Sequence, residues 1–533
     1  MKRSAAGPHR RRSTVSALNP DARRSFFWPA LLLICALAAA QAAWLRAAHD
    51  LSIDEPFTAN AVALGWTQLT GVFADDNVPL HYVLLKAWTA VVGDSAFALR
   101  GLSVLAFTLA VLVTGLAGRA AGGSGAGLLA SLLVATSTSV GLLHAATARA
   151  YALLGLIAAL GVWIGVLLVD AHARGTPGSA AAASPHAGHR LWLAASLAGV
   201  TALGLFAHPL FLFFAVALAT AAAAASDRHR ALALAAPAAG VLVYLVSWWP
   251  VLAQTLRLPA TSWMARPALV DLQNVFGLSW TSRNGFVLLG CALTLLFMSG
   301  RRSLDVLRSR PFIFCALAAS LGLLLPFAAS WIRPVYHPLR TPVLVLPALS
   351  VAFSLVLARF SRPGLTALIV ALFVLGSVQF SMTTARAADP NPARASLAEV
   401  LRRARCGDVV VPAGQAFSEV RYFMRRLGAP ACLRTIPVPA EIAAHPGWLD
   451  EPSVVARPET IDREADALVA TLQPGQRLWV LGRTKGVGHR VLAVLAAALD
   501  RRGLGEERLA LSGSFFDSVR VYTAPASRRE PGQ

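Results

Sequence analysis

The chain has 533 residues, and 56% of them are hydrophobic while only 14% are charged. This composition excludes an ordinary soluble globular protein and is typical of a polytopic membrane protein. The net charge of +21 does not indicate nucleic acid as a partner, because much of it lies in the N-terminal tail and in short loops, where the positive-inside rule expects it.

Apolar segments close to the roughly 20 residues that span a bilayer recur from Phe26 to about Met382. The twelve candidates are 26–48, 79–93, 97–118, 124–143, 150–170, 191–207, 209–226, 231–253, 284–299, 311–332, 341–358 and 364–382. The N-terminus also resembles a signal peptide, but its apolar run continues to about Ala48, and we expect a retained first helix. Residues 1–25 are predicted to be a basic cytoplasmic tail, 26–385 a transmembrane domain and 386–533 a soluble domain.

The basic loops predict the orientation of the helices. If 300–310 and 359–362 are cytoplasmic, then the loop 333–340 and the C-terminal domain are external. The basic N-terminus makes the acidic loop 50–78 external as well. The acids and the C-terminal domain are therefore expected in the same compartment.

The predicted crossings contain one conflict. Four apolar segments lie between the loop 50–78 and residue 171, although the topology requires an odd number of crossings there. One segment must fail to cross or be split, and the candidates are the short 79–93 and the 124–143 segment with its polar interruption at 137–139. The sequence therefore predicts eleven or thirteen transmembrane helices.

The first external loop carries two acidic pairs. Asp54-Glu55 directly follows the first apolar span, and Asp75-Asp76 lies just before the next one. Carboxylates at a bilayer edge can deprotonate a hydroxyl group or hold a divalent cation beside a lipid-linked substrate. Ser52 and Glu55 also have the spacing of a helix capping box, which explains one loop helix over 57–73 but not the second acidic pair.

Further polar residues are predicted at the same external face. They are His81 and Tyr82 at the next helix start, His144, Arg149 and Tyr151 between two apolar spans, and Arg333, His337 and Arg340 in the loop 333–340. The two arginines of that loop oppose the charge bias of the external side, so orientation does not require them. Guanidinium groups make bidentate contacts with phosphate, which indicates a phosphate-bearing lipid as a partner.

After residue 390, short β-rich runs alternate with helical ones, which predicts a small α/β domain. The predicted helices are Leu397–Arg405, Ser418–Leu427 and Arg490–Leu499, and the predicted strands are Asp408–Val411, Arg477–Leu481 and Val519–Tyr522. Cys406 and Cys432 could form a disulfide if this domain is external. The Gly482–Gly488 loop lacks the Gly-Lys-Ser/Thr order of a nucleotide-binding loop, so a plain strand-to-helix turn is predicted.

In their order and spacing, these motifs resemble the bacterial GT-C membrane glycosyltransferases. The likeness is greatest to family 39, which includes the protein O-mannosyltransferases and the lipid A aminoarabinose transferase. The resemblance is carried by Asp54-Glu55, by Asp76 with Pro79-Leu80-His81-Tyr82, by Gly93–Arg100, by Thr147–Leu153 and by Arg340-Thr341.

The resemblance implies a GT-C-like helical membrane domain with an external α/β domain, in the cytoplasmic (inner) membrane of a bacterium. Such an enzyme transfers a hexosyl or pentosyl group from a polyprenyl-phosphate carrier to a lipid, glycan or protein acceptor of the envelope. Asp54 would be the general base, while Glu55 and Asp76 would orient the acceptor or hold Mg²⁺ or Mn²⁺. Arg149 and Arg340 would neutralise the leaving phosphate, so a cation is compatible with the set but not required.

Two other functions remain open from the sequence. A transporter or flippase of lipid-linked saccharides would carry its ionisable residues near the bilayer midplane, often with internal repeats. Here those residues cluster at one face and no repeat between the halves is evident, which favours the enzyme. The third hypothesis is a catalytically inactive scaffold whose external domain binds a partner.

Overall fold

The computed structural model describes residues 20–51, 54–76, 79–173, 185–226, 230–257, 264–280, 305–359, 363–387, 393–444, 451–482, 489–509 and 518–524. The predicted capping residue Ser52, the candidate span 284–299 and the Arg483–Gly488 part of the predicted turn lie outside these ranges.

The secondary-structure elements in the described part of the chain up to residue 387 are all helices. They are α1 Pro20–Ala47, α2 Asp54–Ala63, α3 Trp66–Asp76, α4 Pro79–Val92, α5 Ala96–Ala135, a π-helix Thr138–Leu142, α6 Leu143–Ala145, α7 Tyr151–Ala173, α8 Pro185–Ala207, α9 Phe211–Ala224, α10 Arg230–Arg257, α11 Leu269–Trp280, α12 Arg310–Ala329, α13 Pro342–Leu357 and α14 Pro363–Arg386. Seven of the described helices are long and apolar enough to cross a bilayer, namely α1, α5, α7, α8, α10, α12 and α14, and α9 and α13 are shorter apolar helices. The predicted polytopic helical membrane protein is confirmed.

Helix α5 is a hairpin of two helices. The chain breaks at Gly123, whose φ of +85° is a value that favours glycine. A β-carbon added to Gly118 would lie 2.8 Å from the β-carbon of Ala130, although twelve residues of straight helix span about 18 Å. The two halves of α5 therefore run antiparallel in contact, and small residues permit that approach.

Helix α4 begins and ends on one side of the bilayer. Its Lys86 Nζ donates hydrogen bonds to two carbonyl groups at the C-terminal end of α2. Asp94, which follows α4, forms an ion pair of 2.8 Å with Arg426 of the C-terminal domain. The start of α4 therefore lies near α2, and its C-terminal end lies near the C-terminal domain, which also contacts α2. Both ends of α4 are then on the same side, so the 79–93 segment is the one that fails to cross.

The topology conflict is resolved by these two features. The two halves of α5 and helix α7 make the three crossings that are required between the acidic loop and residue 171. Without α4, eleven of the twelve apolar segments remain as predicted crossings, and this odd number agrees with the predicted placement of the N-terminus and the C-terminal domain on opposite sides. Ten of these eleven segments lie in the described residues, and the structure therefore favours eleven helices over thirteen.

Polar contacts inside the bilayer connect α1 with α14, the last span before the C-terminal domain. The amide nitrogen of Gln41 donates to the hydroxyl oxygens of Ser377 and Ser381 at 2.9 and 2.8 Å. At the end of the same helix pair, the ring Nε2 of His49 bonds the carbonyl oxygen of Thr384 at 2.7 Å. Such bonds fix the pairing of helices where apolar contacts alone are poorly selective.

The C-terminal domain is built on one five-stranded sheet. Its elements are α15 Ala393–Arg403, β1 Val409–Pro412, α16 Ala416–Arg426, β2 Arg434–Thr435, a 3₁₀-helix Ala440–Ala444, α17 Glu451–Val455, α18 Pro458–Ala470, β3 Arg477–Gly482, α19 His489–Asp500, β4 Gly505–Leu509 and β5 Ser518–Thr523. The strand order is β2-β1-β3-β5-β4, with β1 parallel to β2 and β3, and β5 antiparallel to β3 and β4. The predicted α/β domain is confirmed.

A disulfide joins Cys406, just before β1, to Cys432, just before β2. The two cysteines are 26 residues apart in sequence, and their α-carbons lie 5.1 Å apart. The sequence expected this pair only for a domain outside the cytosol, because disulfides persist in oxidising compartments.

The contact across the α5 hairpin generates a stability prediction. We expect Gly118→Ala to destabilise the folded protein by about 1–3 kcal/mol, because the added methyl group meets Ala130 and the carbonyl oxygen of Ala126. Gly125→Ala is the matched control, since a β-carbon there meets nothing within 4 Å and both changes bring the same gain in helix propensity. Thermal unfolding in detergent measures both, and equal midpoints for the two variants would contradict the hairpin contact.

Candidate active site

Helix α2 carries the first acidic pair and begins at it. Asp54 and Glu55 occupy its first turn and Pro56 follows them, which suits a helix N-terminus because acids favour the positive end of the helix dipole and proline needs no amide donor there. The single loop helix predicted over 57–73 is in fact two helices, α2 and α3, with a break at Gly65.

Glu55 is completely buried and is bound by Arg100 of α5. Arg100 donates from Nε to one carboxylate oxygen and from Nη2 to the other, both at 2.7 Å. The first of these oxygens also accepts the backbone N–H of Ala148 at 2.7 Å. Glu55 therefore links the start of α2, the start of α5 and the turn before α7.

Arg100 uses all five of its N–H groups. Besides the two bonds to Glu55, its Nη atoms donate to the carbonyl oxygens of Arg46, His49 and Asp50 at 2.7, 2.7 and 2.8 Å. The carbonyl of Arg46 belongs to the last turn of α1, where a helix leaves its last acceptors unpaired, and those of His49 and Asp50 follow the helix directly. The guanidinium thus caps α1 and binds α2 at the same time.

Asp54, unlike its neighbour, faces an open site. Its side chain is 48% exposed and lies 3.6 Å from a guanidinium nitrogen of Arg340, whose side chain is 27% exposed. The guanidinium carbon of Arg340 also lies 5.3 Å from the ring centre of Tyr151, a cation–π contact that orients the group. The structure thus brings together three predicted site residues that are up to 286 positions apart in sequence.

Arg149 lies on the same side of α2. Its Nη1 is 3.4 Å from the hydroxyl oxygen of Thr58, which in turn donates to the backbone carbonyl of Asp54 at 3.2 Å. Arg149 follows Ala148, the residue whose N–H is bound by Glu55. The buried ion pair therefore sets the position of both Asp54 and Arg149.

The loop that presents Arg340 is held by short-range hydrogen bonds. Ser330, at the end of α12, accepts the N–H groups of Val335 and Tyr336 at 3.0 and 2.7 Å. The phenol of Tyr336, which is buried, donates to the carbonyl of Asp271 in α11 at 3.3 Å. Arg333, the other predicted arginine of this loop, donates to the carbonyl of Leu256 at 3.1 Å.

Two histidines flank the arginine and are held neutral. His144 bonds the carbonyl of Leu339 through Nε2 at 2.8 Å, and the Nδ1 of His337 accepts the N–H of Leu339 at 3.2 Å. Burial, with the positive charge of Arg340 next in effect for His337, lowers the pKa of each histidine to about 4. Neutral rings leave the arginines as the cationic groups of this part of the site.

The rings of three residues lie close together next to Arg340, which contacts the ring of Tyr151. The ring centre of Tyr151 lies 4.8 Å from that of His144 and 5.8 Å from that of His208, which occupies the turn between α8 and α9. His208 was not predicted as a site residue.

The remaining predicted residues belong to α3 and α4. His81 and Tyr82 are buried on α4, and their rings lie 5.7 Å apart. The backbones of Asp75 and Asp76 end α3, and the structure does not describe their side chains.

The described residues do not fit the metal site that the resemblance implied. Glu55 has both oxygens occupied by Arg100 and Ala148, and a guanidinium at 2.7 Å repels a second cation. No group of three histidine, cysteine, aspartate or glutamate side chains in the described residues could hold a metal ion. Because the side chain of Asp76 is outside the description, its role as a ligand stays a prediction.

Sequence analysis missed the residues that support the site. Arg100 stood in a motif of the resemblance without an assigned role, although an arginine four residues into an apolar span is a costly placement that signals a partner. Thr58 and Asp271 have no pattern in the sequence that marks them. Thr58 acts through its hydroxyl oxygen, which Arg149 contacts, and Asp271 acts through its backbone carbonyl, and tertiary structure alone creates both contacts.

Solved structures share this architecture. ArnT from Cupriavidus metallidurans in the apo state matches with a TM-score of 0.61 and 13% identity, over 93% of this chain and 98% of that chain. ArnT bound to undecaprenyl phosphate matches with a TM-score of 0.62 and 12% identity, over 92% and 97%. The Archaeoglobus fulgidus oligosaccharyltransferase in the apo form gives 0.49 and 11%, over 91% and 73%. No protein-family model and no curated protein matches the sequence.

ArnT is a GT-C lipid A aminoarabinose transferase. At 13% identity, the likeness to ArnT shows that this chain has the ArnT fold. The resemblance predicted from the sequence is confirmed at the level of the fold.

Removing the negative charge of Glu55 should lower the stability of the folded protein. We expect Glu55→Gln to cost about 3–5 kcal/mol of folding free energy, because it leaves the buried charge of Arg100 without a counterion. Glu399→Gln is the control, since Glu399 pairs with Arg402 and Arg403 on an exposed helix face, where such pairs contribute about 0.5 kcal/mol. Thermal unfolding in detergent compares the two, and a midpoint for Glu55→Gln as high as that of the control would refute the role of the buried pair.

The two histidines predict how stability depends on pH. Their pKa values are lower in the folded protein than the ordinary value of 6.5, so the folded state favours the neutral rings. The associated stability is fully present above about pH 6.5 and is lost as the pH falls towards 4. We expect the unfolding midpoint to fall over this range in the wild-type protein and to fall less in the His144→Gln/His337→Gln double variant. Replacing the exposed His189 by Gln should leave the pH dependence of the unfolding midpoint as it is in the wild-type protein. If the double variant kept that pH dependence as well, its assignment to His144 and His337 would be wrong.

Proposed function

We propose that this chain is a membrane glycosyltransferase that transfers a sugar from a polyprenyl-phosphate carrier to an acceptor of the bacterial envelope. The observation that carries the proposal is the pairing of an accessible carboxylate, Asp54, with Arg340 at 3.6 Å. A glycosyl transfer from a phosphate carrier needs these two chemistries side by side, a base for the acceptor and a cation for the leaving group.

Asp54 is proposed as the general base. It takes the proton of the acceptor hydroxyl group as the hydroxyl oxygen forms a bond to the anomeric carbon of the sugar. The bond between the anomeric carbon and the phosphate oxygen breaks, and its electron pair leaves with the polyprenyl phosphate. Half of the Asp54 side chain is open to an incoming hydroxyl group, whereas Glu55 is buried and bonded. We therefore propose a positioning role for Glu55.

Arg340 and Arg149 are proposed to bind the phosphate. Both guanidiniums lie beside the first turns of α2, one next to Asp54 and the other next to Thr58. Negative charge grows on the phosphate as the sugar departs, and fixed guanidinium groups stabilise that charge more in the transition state than in the ground state. Tyr151 and the neutral His144 orient Arg340 by ring contact and by the bond to Leu339.

The comparison with ArnT supports the proposed donor, and a disulfide supports the proposed location. ArnT, which shares the fold, has been crystallised with undecaprenyl phosphate, and this supports a polyprenyl-phosphate donor here. The transferred group is a hexosyl or pentosyl unit, and the acceptor is a lipid, a glycan or a protein. We place the site and the C-terminal domain outside the cytoplasmic membrane, with the N-terminus in the cytosol; the Cys406–Cys432 disulfide supports this side.

The test is a complemented deletion strain whose envelope lipids and glycans are analysed by mass spectrometry. One sugar should be missing in the deletion and restored by the wild-type gene. Asp54→Asn should lower transfer by at least about 100-fold, the usual effect of losing a general base, and Arg340→Gln should also abolish it. Both variants should insert in the membrane at wild-type levels.

Asp462→Asn is the control, because Asp462 is an acid of α18 that pairs with Arg501 in the C-terminal domain. It should restore the sugar fully. Restoration by Asp54→Asn with a dependence on an ion gradient would instead support a transporter and would refute the enzyme.

A further inference from the structure

Helix α2 is covered on both sides, although it lies in an external loop. Residues Glu55 to Val62 are all buried. On one side lie the membrane domain and Lys86 of α4, which donates to the carbonyls that end α2. On the other side lies α16 of the C-terminal domain.

A buried hydrogen bond crosses the contact between α2 and α16. The amide Nδ2 of Asn60 donates to the backbone carbonyl of Ser418 at 2.9 Å. Asn60 is 1% exposed and Ser418 2% exposed. Such a bond is specific in distance and direction, because a buried amide or carbonyl that loses its partner is costly.

The apolar cores of the two parts are continuous. Phe57 and Ala61 of α2 belong to the same buried cluster as Val420, Tyr422 and Phe423 of α16. A domain that moves as a lid needs an interface that opens to water at low cost. This interface is apolar at its centre and resembles the interior of a single domain.

Ion pairs surround this contact at its edge. Asp94, which precedes α5, lies 2.8 Å from Arg426 and 3.7 Å from Arg425. Asp50, whose carbonyl is bound by Arg100, lies 3.4 Å from Arg394 of α15. Both acids belong to the segments that flank the buried Glu55–Arg100 pair.

We infer that the C-terminal domain is a fixed brace for α2, and that Asn60 is a positioning residue that holds Asp54 in place through Ser418. A ten-residue helix is marginal in water when nothing packs against it, so its orientation depends on both of its covered sides. Asp54 lies in the first turn of this helix, so the direction of the helix axis, which Asn60 helps to fix, adds to the anchor at Glu55 in placing it. The inference rests on the proposed function of Asp54, but not on the identity of the sugar or the acceptor.

The first test separates positioning from acceptor binding. Asn60→Leu keeps the volume of the side chain but removes its donor, and we expect kcat to fall roughly 10- to 100-fold, because displacements of about 1 Å have effects of that size. The KM for donor and acceptor should stay close to the wild-type values. A raised KM for the acceptor with an unchanged kcat would overturn the brace and make the domain an acceptor-binding module.

Arg463→Gln is the matched control in the same domain, because Arg463 bonds only to Glu459 and Thr460 of its own helix among the described contacts. It should leave kcat unchanged. Thermal unfolding supplies a readout that does not need activity, and Asn60→Leu should lower the midpoint while Arg463→Gln should not.

The second test asks whether the domain moves. Asp94→Cys and Arg426→Cys are introduced with Cys35, Cys291 and Cys315 replaced by Ala, and a short bifunctional maleimide bridges the new pair. A static brace predicts equal activity for the bridged and unbridged double variant. Loss of activity on bridging would overturn the inference, since it would show that the domain must move during the reaction.

The two proposals fail in different ways. If Asp54→Asn stays active, the proposed base is wrong, while the lowered unfolding midpoint of Asn60→Leu still reports the brace. If Asp54→Asn is inactive but Asn60→Leu has wild-type kcat and midpoint, the proposed function stands and the brace fails.

Discussion

The geometry of the candidate active site depends on one buried ion pair, that of Glu55 and Arg100. Burying two charges is costly unless they are paired and their remaining hydrogen-bonding groups are satisfied. Here all five N–H groups of the arginine have acceptors, and three of these are carbonyls at the end of α1. The glutamate also accepts the N–H of Ala148. The end of α1 and the starts of α2, α5 and α7 are therefore held as one unit, because separating any of them leaves a buried group unsatisfied.

The same pair explains how two adjacent acids acquire different roles. Neighbouring residues on a helix point about 100° apart, so burying Glu55 turns Asp54 to the open side of α2. Arg340 then reaches Asp54 from the loop between α12 and α13. Covering α2 with the membrane domain on one side and α16 on the other keeps this short helix from tilting. The exposed carboxylate of Asp54 is thus placed by buried groups.

Much of the fold follows from the sequence, because its signals are local. Apolar length predicted the spans, and the alternation of β-rich and helical runs predicted the C-terminal α/β domain with six of its elements, but not its longest helix, α18. The short β2 and the charged edge strand β4 were missed, since two residues or a Gly-Glu-Glu-Arg-Leu run carry no apolar alternation. The count of crossings stayed open because α4 is apolar enough to enter a bilayer, and only its contacts show that both of its ends lie on one side.

The sequence by itself determined which residue types gather at the external face, because charge is costly within a bilayer and its position along the chain is visible. It predicted Asp54, Arg149 and Arg340 as members of one site, and the structure places all three around the start of α2. Only the tertiary structure decided that Glu55 is buried while its neighbour is open. That distinction depends on Arg100, 45 residues away, and a contact between distant residues leaves no periodic or local pattern in the chain.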